Sequence, residues 1–327
     1  MLPDTTAYTQ AVDLFAGVGG LDLPARALGV HVTGIEMSPD ACATRRAARL
    51  ATIQDDVRRY GPGDFPDAQI LMGGPPCQPF SAAGNGAGRR ALGDIVALAH
   101  RLAARHAIAR HGHGGTDDLI RLVLEPLRWA LDAVDAGRPF EAIVLEQVPA
   151  VLPVWNTYAA LLQAEGYSTA AGVVRAEQYG VPQTRKRAVL IARRTRAATL
   201  PAPTHRPYAK GAPRTAGDPG LLPWTAMADV LPERGPFTVV SNYGTGGDPK
   251  ARGRRTSGDP SATVTGKVSR VRVVSDDGTE DRFTWAEAGA LQSFPPDHPW
   301  TGRDIGQQIG NAVPPRLAHH LITAAID

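Results

Sequence analysis

The chain has 327 residues, of which 43% are hydrophobic and 20% charged, and its formal net charge is +3. These proportions are ordinary for a globular enzyme and exclude a fibrous or strongly disordered protein. No apolar run approaches the roughly 20 residues of a membrane-spanning helix, and the N-terminus lacks the layout of a secretory signal. The only cysteines are Cys42 and Cys77, which excludes a disulfide framework and indicates a cytoplasmic protein. We also expect no membrane partner and no bound metal.

Alternating strands and helices are predicted in the first part of the chain. "YTQAVDLFAG" predicts a strand, and "LDLPARALG" predicts a helix that stops at Gly29. "HVTGIEM" predicts the next strand, and "SPDACATRRAARL" a helix with Ser38 as N-cap and Pro39 at its first position. Further strands are predicted at "AQILMGG", "EAIVLEQV" and "AVLIARR", and helices at residues 94–111 and 117–134. This order predicts an α/β fold with a doubly wound, mostly parallel sheet covered on both faces.

The sequence pattern changes at about Pro201, where short predicted strands alternate with many glycines and prolines. This change predicts a second, smaller, loop-rich β domain. Residues 193–274 also contain 14 Lys or Arg against 5 Asp or Glu, a local excess of +9, whereas the remaining residues carry 21 basic and 27 acidic side chains. The segment indicates a polyanion partner, although a solvated arginine-rich loop explains the charge equally well.

Acidic and glycine residues follow three successive predicted strands. Gly17, Gly19 and Gly20 come directly after the first strand, where a ligand can approach the backbone and a helix N-terminus offers free N–H groups. Glu36 ends the second strand, 16 residues beyond Gly20, where an acid can accept hydrogen bonds from both hydroxyls of a ribose. Asp56 lies near the end of the third strand. Together these residues outline an adenosine pocket, although the glycine spacing differs from the dinucleotide fingerprint.

Five motifs occur in order: "DLFAGVGG", "GGPPCQPFS", "LEQV", "QYGVPQTRKR" and "QIGNAVPP". Together they resemble the DNA (cytosine-5)-methyltransferases of bacterial or phage type, over nearly the whole chain except the basic middle segment. The resemblance implies an S-adenosyl-L-methionine domain, a target-recognition domain, and a cleft for double-stranded DNA between them. We assign residues 1–192 and 303–327 to the catalytic and cofactor-binding domain, and residues 193–302 to the target-recognition domain and hinge.

The resemblance also implies which residues carry the chemistry. Carbon-5 of cytosine is a poor nucleophile, but a thiolate that adds to carbon-6 gives an enamine-like intermediate whose carbon-5 can attack the cofactor's methyl group. Cys77 would be that thiolate, with an inert buried cysteine as the alternative. Glu146 would contact N3 and the exocyclic amine of the base. Arg185 and Arg187 share one side of a short strand, so one would hold Glu146 and the base's carbonyl while the other secures a loop or backbone; an exposed basic strand is the alternative.

The same motifs supply the binding residues. The expected cofactor contacts are Phe15, Ala16, Gly17, Gly19, Gly20, Leu21, Glu36, Met37, Asp56, Val57, Pro76, Asn311 and Ala312. A duplex hides carbon-6, so the target cytosine has to rotate out of the helix. The residues expected to contact DNA are Gln78, Ser81, Arg252, Arg254 and Arg255.

Three positions depart from the family pattern. Gln147 stands where asparagine usually follows the glutamate, and Ala286 and Ala290 stand where the family usually has arginines that support the fold between domains.

Histidines at 100, 106, 111 and 113 are spaced too irregularly for a typical zinc site, so we favour a solvated insertion near the DNA.

The expected function is therefore methylation of cytosine at carbon-5 in a specific duplex sequence. We expect a monomer that serves as the modification half of a restriction system, with a cognate endonuclease encoded nearby, or as a phage-borne protector. The alternatives are a DNA-binding relic that no longer turns over, and the same site acting on RNA or with a modified cofactor.

Overall fold

The computed structural model describes residues 8–76, 87–109, 116–241 and 253–327. Most of them surround one seven-stranded sheet. Its strands are β1 (Gln10–Leu14), β2 (His31–Glu36), β3 (Ala51–Gln54), β4 (Ile70–Gly73), β5 (Ala142–Gln147), β6 (Ser168–Arg175) and β8 (Lys186–Arg193). They lie in the order β3-β2-β1-β4-β5-β8-β6, and only β8 runs antiparallel to its neighbours. The predicted doubly wound, mostly parallel sheet is confirmed, and its strand order reverses between β1 and β4, where such folds bind ligands.

Helices cover both faces of this sheet because its central strands are apolar on both sides. The helices of the described chain are α1 (Asp22–Ala27), α2 (Pro39–Ala47), α3 (Ala87–Ala103), α4 (Thr116–Asp135), α5 (Leu152–Ala164), α6 (Met227–Val230), α7 (Trp285–Leu291), α8 (Ile305–Asn311) and α9 (Pro315–Ile326). Ile143 and Leu145 of β5 pack with α3, α4 and α5, whereas Ala142 and Val144 pack with α1 and α9. None of these helices, among the residues described, has the length and apolar character needed to cross a bilayer.

Local sequence signals account for several element ends. Ser38 caps α2, since its hydroxyl accepts a hydrogen bond from the Ala41 N–H at 3.4 Å, and Pro39 is the first helical residue, as predicted. The helix predicted over residues 94–111 instead ends at Ala103, so its predicted C-terminal end was wrong. Arg105 adopts a left-handed φ of 59° and its guanidinium pairs with Asp135 and Glu165, which turns the chain away from the helix axis.

A second, smaller β unit follows the large sheet, as predicted. Its antiparallel strands, in the order β10-β9-β12-β13, are β9 (Phe237–Val240), β10 (Arg254–Thr256), β12 (Arg272–Ser275) and β13 (Glu280–Asp281). A two-stranded parallel sheet of β7 (Gln183–Thr184) and β11 (Ser261–Ala262) joins the two units. The core of the small unit also contains Ile309 of α8. Residues 305–311 therefore pack against the small unit, although they follow the boundary predicted at residue 302.

Candidate active site

A cleft of about 830 Å³ opens at the carboxyl ends of β1, β2, β4 and β5 and extends to the small unit. This volume falls within the range of pockets that hold cofactor-sized ligands. All of the predicted cofactor contacts except Gly19 line the cleft, together with Glu146, Arg185 and Arg187. Thr263 to Gly266, from the small unit, form part of the opposite wall. The five motifs, which are far apart in sequence, thus converge on one cleft.

Glu36 organises the glycine-rich end of this cleft. Its Oε2 accepts a hydrogen bond from the Gly17 N–H at 2.9 Å, and its Oε1 accepts one from the Ser38 N–H at 2.7 Å. A carboxylate has about four acceptor sites, so Glu36 keeps capacity for two ribose hydroxyls. Gly20 must lack a side chain because a Cβ there would lie 2.2 Å from the Val313 carbonyl oxygen. The loop after β1 therefore packs directly on the segment that follows α8.

Behind the glycine-rich loop lies a buried charged cluster that the sequence did not predict. Arg45 is fully buried and forms an ion pair with Asp22, in which Nη1 lies 3.0 Å from Oδ2. Arg45 also donates to the Ala16 carbonyl at 3.1 Å, which fixes the loop. Asp13, on β1, lines the cleft and is 1% exposed, and its carboxylate oxygens accept no hydrogen bond from the described residues. Burial, and then the neighbouring Asp22, raise the pKa of Asp13 well above its usual range.

Asp56 lies two residues beyond β3, and Arg58 engages its carboxylate. Arg58 Nε lies 2.9 Å and Nη2 2.6 Å from Asp56 Oδ2, and the Arg58 N–H donates to Oδ1 at 2.9 Å. Arg58 Nη1 also lies 3.2 Å from Asp118 Oδ1, on α4. Arg58 thus connects the third strand end to the helix that contributes Leu119 and Leu122 to the cleft.

Glu146 and Arg187 form an ion pair on the cleft wall. Arg187 Nε lies 2.7 Å from Glu146 Oε1, and the two side chains are 12% and 7% exposed. Antiparallel pairing of β5 with β8 places Glu146 opposite Val189, so Arg187, two residues earlier on β8, projects from the same face. The resemblance implied this pairing of acid and arginine, and neither residue reveals its partner by sequence spacing.

Arg185 makes different contacts from Arg187. It is 1% exposed and donates to the carbonyl oxygens of Val264 at 3.0 Å, and of Gly310 and Ala312 at 3.1 Å each. Arg185 therefore ties the wall contributed by the small unit to the segment after α8. Lys186, between the two arginines, is exposed.

Gln147 connects β5 to the predicted nucleophile loop. Its Nε2 donates to the Pro75 carbonyl, and its Oε1 accepts a hydrogen bond from the Val148 N–H. Pro76, the residue before Cys77, lines the cleft. Four predicted residues lie outside the described ranges: Cys77, Gln78, Ser81 and Arg252.

Both remaining DNA candidates lie on β10. Arg254 is exposed, whereas the Arg255 guanidinium stacks 4.6 Å from the Tyr208 ring centroid and donates to the Pro260 carbonyl at 2.8 Å. Arg255 is therefore held within the small unit.

The departures at Ala286 and Ala290 lie on α7, where Glu287 forms an ion pair with Arg234. Arg234 also pairs with Asp281, at 3.0 Å between Nη1 and Oδ1. An arginine from another segment thus supplies a positive charge to this helix.

Comparison with known proteins identifies the family. The family model of C-5 cytosine-specific DNA methylases matches residues 9–95 and 135–216. The chain is 29% identical to the type II methyltransferase M1.HphI of Haemophilus parahaemolyticus, over 96% of this chain and 86% of that protein. It is 28% identical to the type II methyltransferase M.AplI of Arthrospira platensis, over 96% of this chain and 85% of that protein.

Two solved structures are similar in fold. The S. pombe Dnmt2 methyltransferase has a TM-score of 0.64 and 15% identity, and it covers 97% of this chain and 98% of its own. The Entamoeba histolytica methyltransferase EhMeth has a TM-score of 0.62 and 13% identity, with the same coverage of both chains.

The sheet order, the acid that ends β2 and the cleft at the strand ends define a methyltransferase with an S-adenosyl-L-methionine domain. More specifically, the chain belongs to the C-5 cytosine-specific DNA methylase family, which confirms the resemblance. Its cofactor is S-adenosyl-L-methionine, and the cleft fits this molecule because Glu36, beside the glycine-rich loop, keeps acceptor capacity for a ribose.

Proposed function

We propose that this chain transfers a methyl group from S-adenosyl-L-methionine to carbon-5 of cytosine within one short sequence of duplex DNA. The single observation that carries the proposal is the Glu146–Arg187 ion pair, 2.7 Å long, on the wall of the same cleft that Glu36 lines. An acid held by an arginine beside a ribose-binding carboxylate suits a base and a nucleoside cofactor in one cleft. The type II names of M1.HphI and M.AplI support a role in restriction and modification, with a phage-borne protector as the other setting.

Cys77 is proposed as the nucleophile because it directly follows Pro76, which lines the cleft. Its thiolate adds to carbon-6 of the base and forms a sulfur–carbon bond, and the electrons of the carbon-5–carbon-6 double bond shift to the carbon-4–carbon-5 bond, with charge developing at N3. The cofactor, when bound, would supply an electrophilic methyl group to carbon-5 and leave as the neutral thioether. Transfer of the carbon-5 proton to water or another base, with departure of the Cys77 thiolate, then restores the aromatic ring.

Glu146 stabilises the charge that develops on the ring during thiolate addition. Its carboxyl group would contact N3 and the exocyclic amine, supplying a proton or a strong hydrogen bond. Arg187 is the ion-pair partner of this carboxyl group and would reach the carbonyl oxygen of the base. Arg185 keeps the facing wall in position through its three carbonyl contacts, so it acts on geometry rather than on the base.

The target cytosine must leave the duplex to reach this cleft, at a cost of a few kcal/mol. Gln78 and Ser81, which follow Cys77 in sequence, are proposed to fill the gap in the duplex or to hold the phosphate of the rotated nucleotide. Arg252 and Arg254 are proposed to contact DNA from the small unit, where phosphate contacts supply affinity.

The nucleophile can be tested by trapping. Duplex DNA that carries 5-fluorocytosine should form a stable adduct with the protein and cofactor, since fluorine at carbon-5 cannot be lost as a proton is. Cys77→Ser should abolish the adduct, whereas Cys42→Ser should retain it because Cys42 is buried on α2. An undiminished adduct from Cys77→Ser would overturn the assignment.

A further inference from the structure

Two basic side chains that the sequence analysis did not assign to DNA lie together at one edge of the large sheet. Arg175 ends β6, Lys186 begins β8, and the two residues are direct cross-strand partners. β6 runs in the same direction as β5, because both are antiparallel to β8. The Arg175–Lys186 pair therefore lies at the same edge as the carboxyl ends of β1, β4 and β5, where the cleft opens.

A buried acid and a third cation lie beside this pair. Glu177 is 1% exposed, and its Oε1 lies 3.5 Å from Arg175 Nε. Burial raises the pKa of Glu177, and the nearby charges of Arg175, Lys186 and Arg255 act in the opposite direction. Arg255, the third cation, belongs to the small unit and donates to Thr184 Oγ1 at 3.1 Å, two residues before Lys186.

The group has an excess of positive charge whatever the ionisation of Glu177. Three cations around one carboxyl group leave a charge of +2 when Glu177 is ionised and +3 when it is protonated. Arg175 is 40% exposed and Lys186 is also exposed, whereas the Glu177 side chain is 2% exposed. Arg175 and Lys186 thus face solvent while the acid is covered, an arrangement that favours an anion at the surface.

We propose that Arg175 and Lys186 form a phosphate-binding ridge that holds the DNA backbone beside the target base. This inference rests on the proposed function. Lys186 precedes Arg187, which pairs with Glu146, so the two Cα atoms lie about 3.8 Å apart at the edge where the cleft opens, with their side chains on opposite faces of the strand. Phosphates follow one another every ~3.4 Å of helix axis along a strand, so a cytosine that reaches Glu146 brings its neighbouring phosphates to this edge.

The salt dependence of DNA binding tests the ridge directly. Fluorescence anisotropy with a labelled duplex should show that Lys186→Gln and Arg175→Gln each reduce the slope of log K against log salt by up to ~0.9, and the double variant by up to ~1.8. Affinity should fall equally for target and unrelated duplexes, because phosphate contacts carry no sequence information. Lys186→Arg keeps the charge and should keep the slope.

Arg138→Gln is the matched control, because Arg138 is an exposed arginine that precedes β5 at the opposite edge of the sheet. It should leave the slope unchanged. Calorimetric affinity for S-adenosyl-L-methionine should be the same in all variants. A wild-type slope in the Arg175→Gln/Lys186→Gln double variant would overturn the ridge even if the wild type methylates DNA. A different result would contradict only the proposed function: the variants lose slope as predicted and the wild type binds duplex DNA, but the wild type forms no 5-methylcytosine.

Discussion

Replacing Arg187 by glutamine should expose how strongly the cleft depends on its ion pair. The substitution leaves the 7% exposed Glu146 side chain without its countercharge. Removing one partner of a buried pair costs about 3–5 kcal/mol, and the low end applies here because the pair lines an open cleft. Glu146→Gln should cost only about 1 kcal/mol, since the long Arg187 side chain can turn its guanidinium toward water. The loss of unfolding free energy in the double variant should therefore be roughly 2 kcal/mol smaller than the sum of the losses in the two single variants.

Urea unfolding of the wild type, the two single variants and the double variant measures this coupling. Both single variants should also lose methylation by at least ~100-fold, the ordinary contribution of a positioned acid–base group. Arg138→Gln provides the control for loss of an exposed arginine. A coupling free energy below about 0.5 kcal/mol would refute the reasoning, because it would mean that the two charges do not depend on each other.

Three further outcomes are expected. Glu36→Ala should weaken the calorimetric affinity for the cofactor at least ~10-fold, because each lost charge-assisted hydrogen bond contributes about 1.5–3 kcal/mol. DNA binding without cofactor should remain largely intact. Unchanged cofactor affinity would exclude a ribose-binding role for Glu36. Gln147→Asn should change the single-turnover methylation rate by less than ~10-fold, or about 1.4 kcal/mol in the barrier, and a larger loss would mean that the Pro75 contact requires glutamine. Burial lowers the pKa of His298 to about 4, so the stability conferred by its neutral ring is complete above pH ~6.5 and is lost as the pH falls toward 4, by up to about 3 kcal/mol. Denaturation at pH 7.5 and 4.5 should show a smaller loss in His298→Phe than in the wild type, and equal losses would contradict this account.

The strands of the large sheet were predictable where apolar runs are buried on both faces, as in β4 and β5. β6 and α5 were not predicted from the sequence, for different physical reasons. β6 is an edge strand of small, half-buried residues with no clear alternation. α5 is apolar around most of its circumference, so it lacks the polar face that usually marks a helix.

Motifs located the principal residues of the site, but the contacts between distant segments could not be read from spacing. Arg185 reaches carbonyl groups 79, 125 and 127 residues away. Arg45 and Asp22 belong to different helices, and their pairing depends on the way α1 and α2 pack beside the glycine-rich loop. Such contacts depend on tertiary packing, which no local pattern reports.

Nucleoside mass spectrometry of DNA from a host that expresses the protein tests the central claim most directly. The wild type should raise 5-methylcytosine above the level of the host alone, and Cys77→Ser, expressed to the same soluble level, should not. Soluble, folded wild-type protein that leaves 5-methylcytosine at the host's background would contradict the proposed methylation of cytosine at carbon-5.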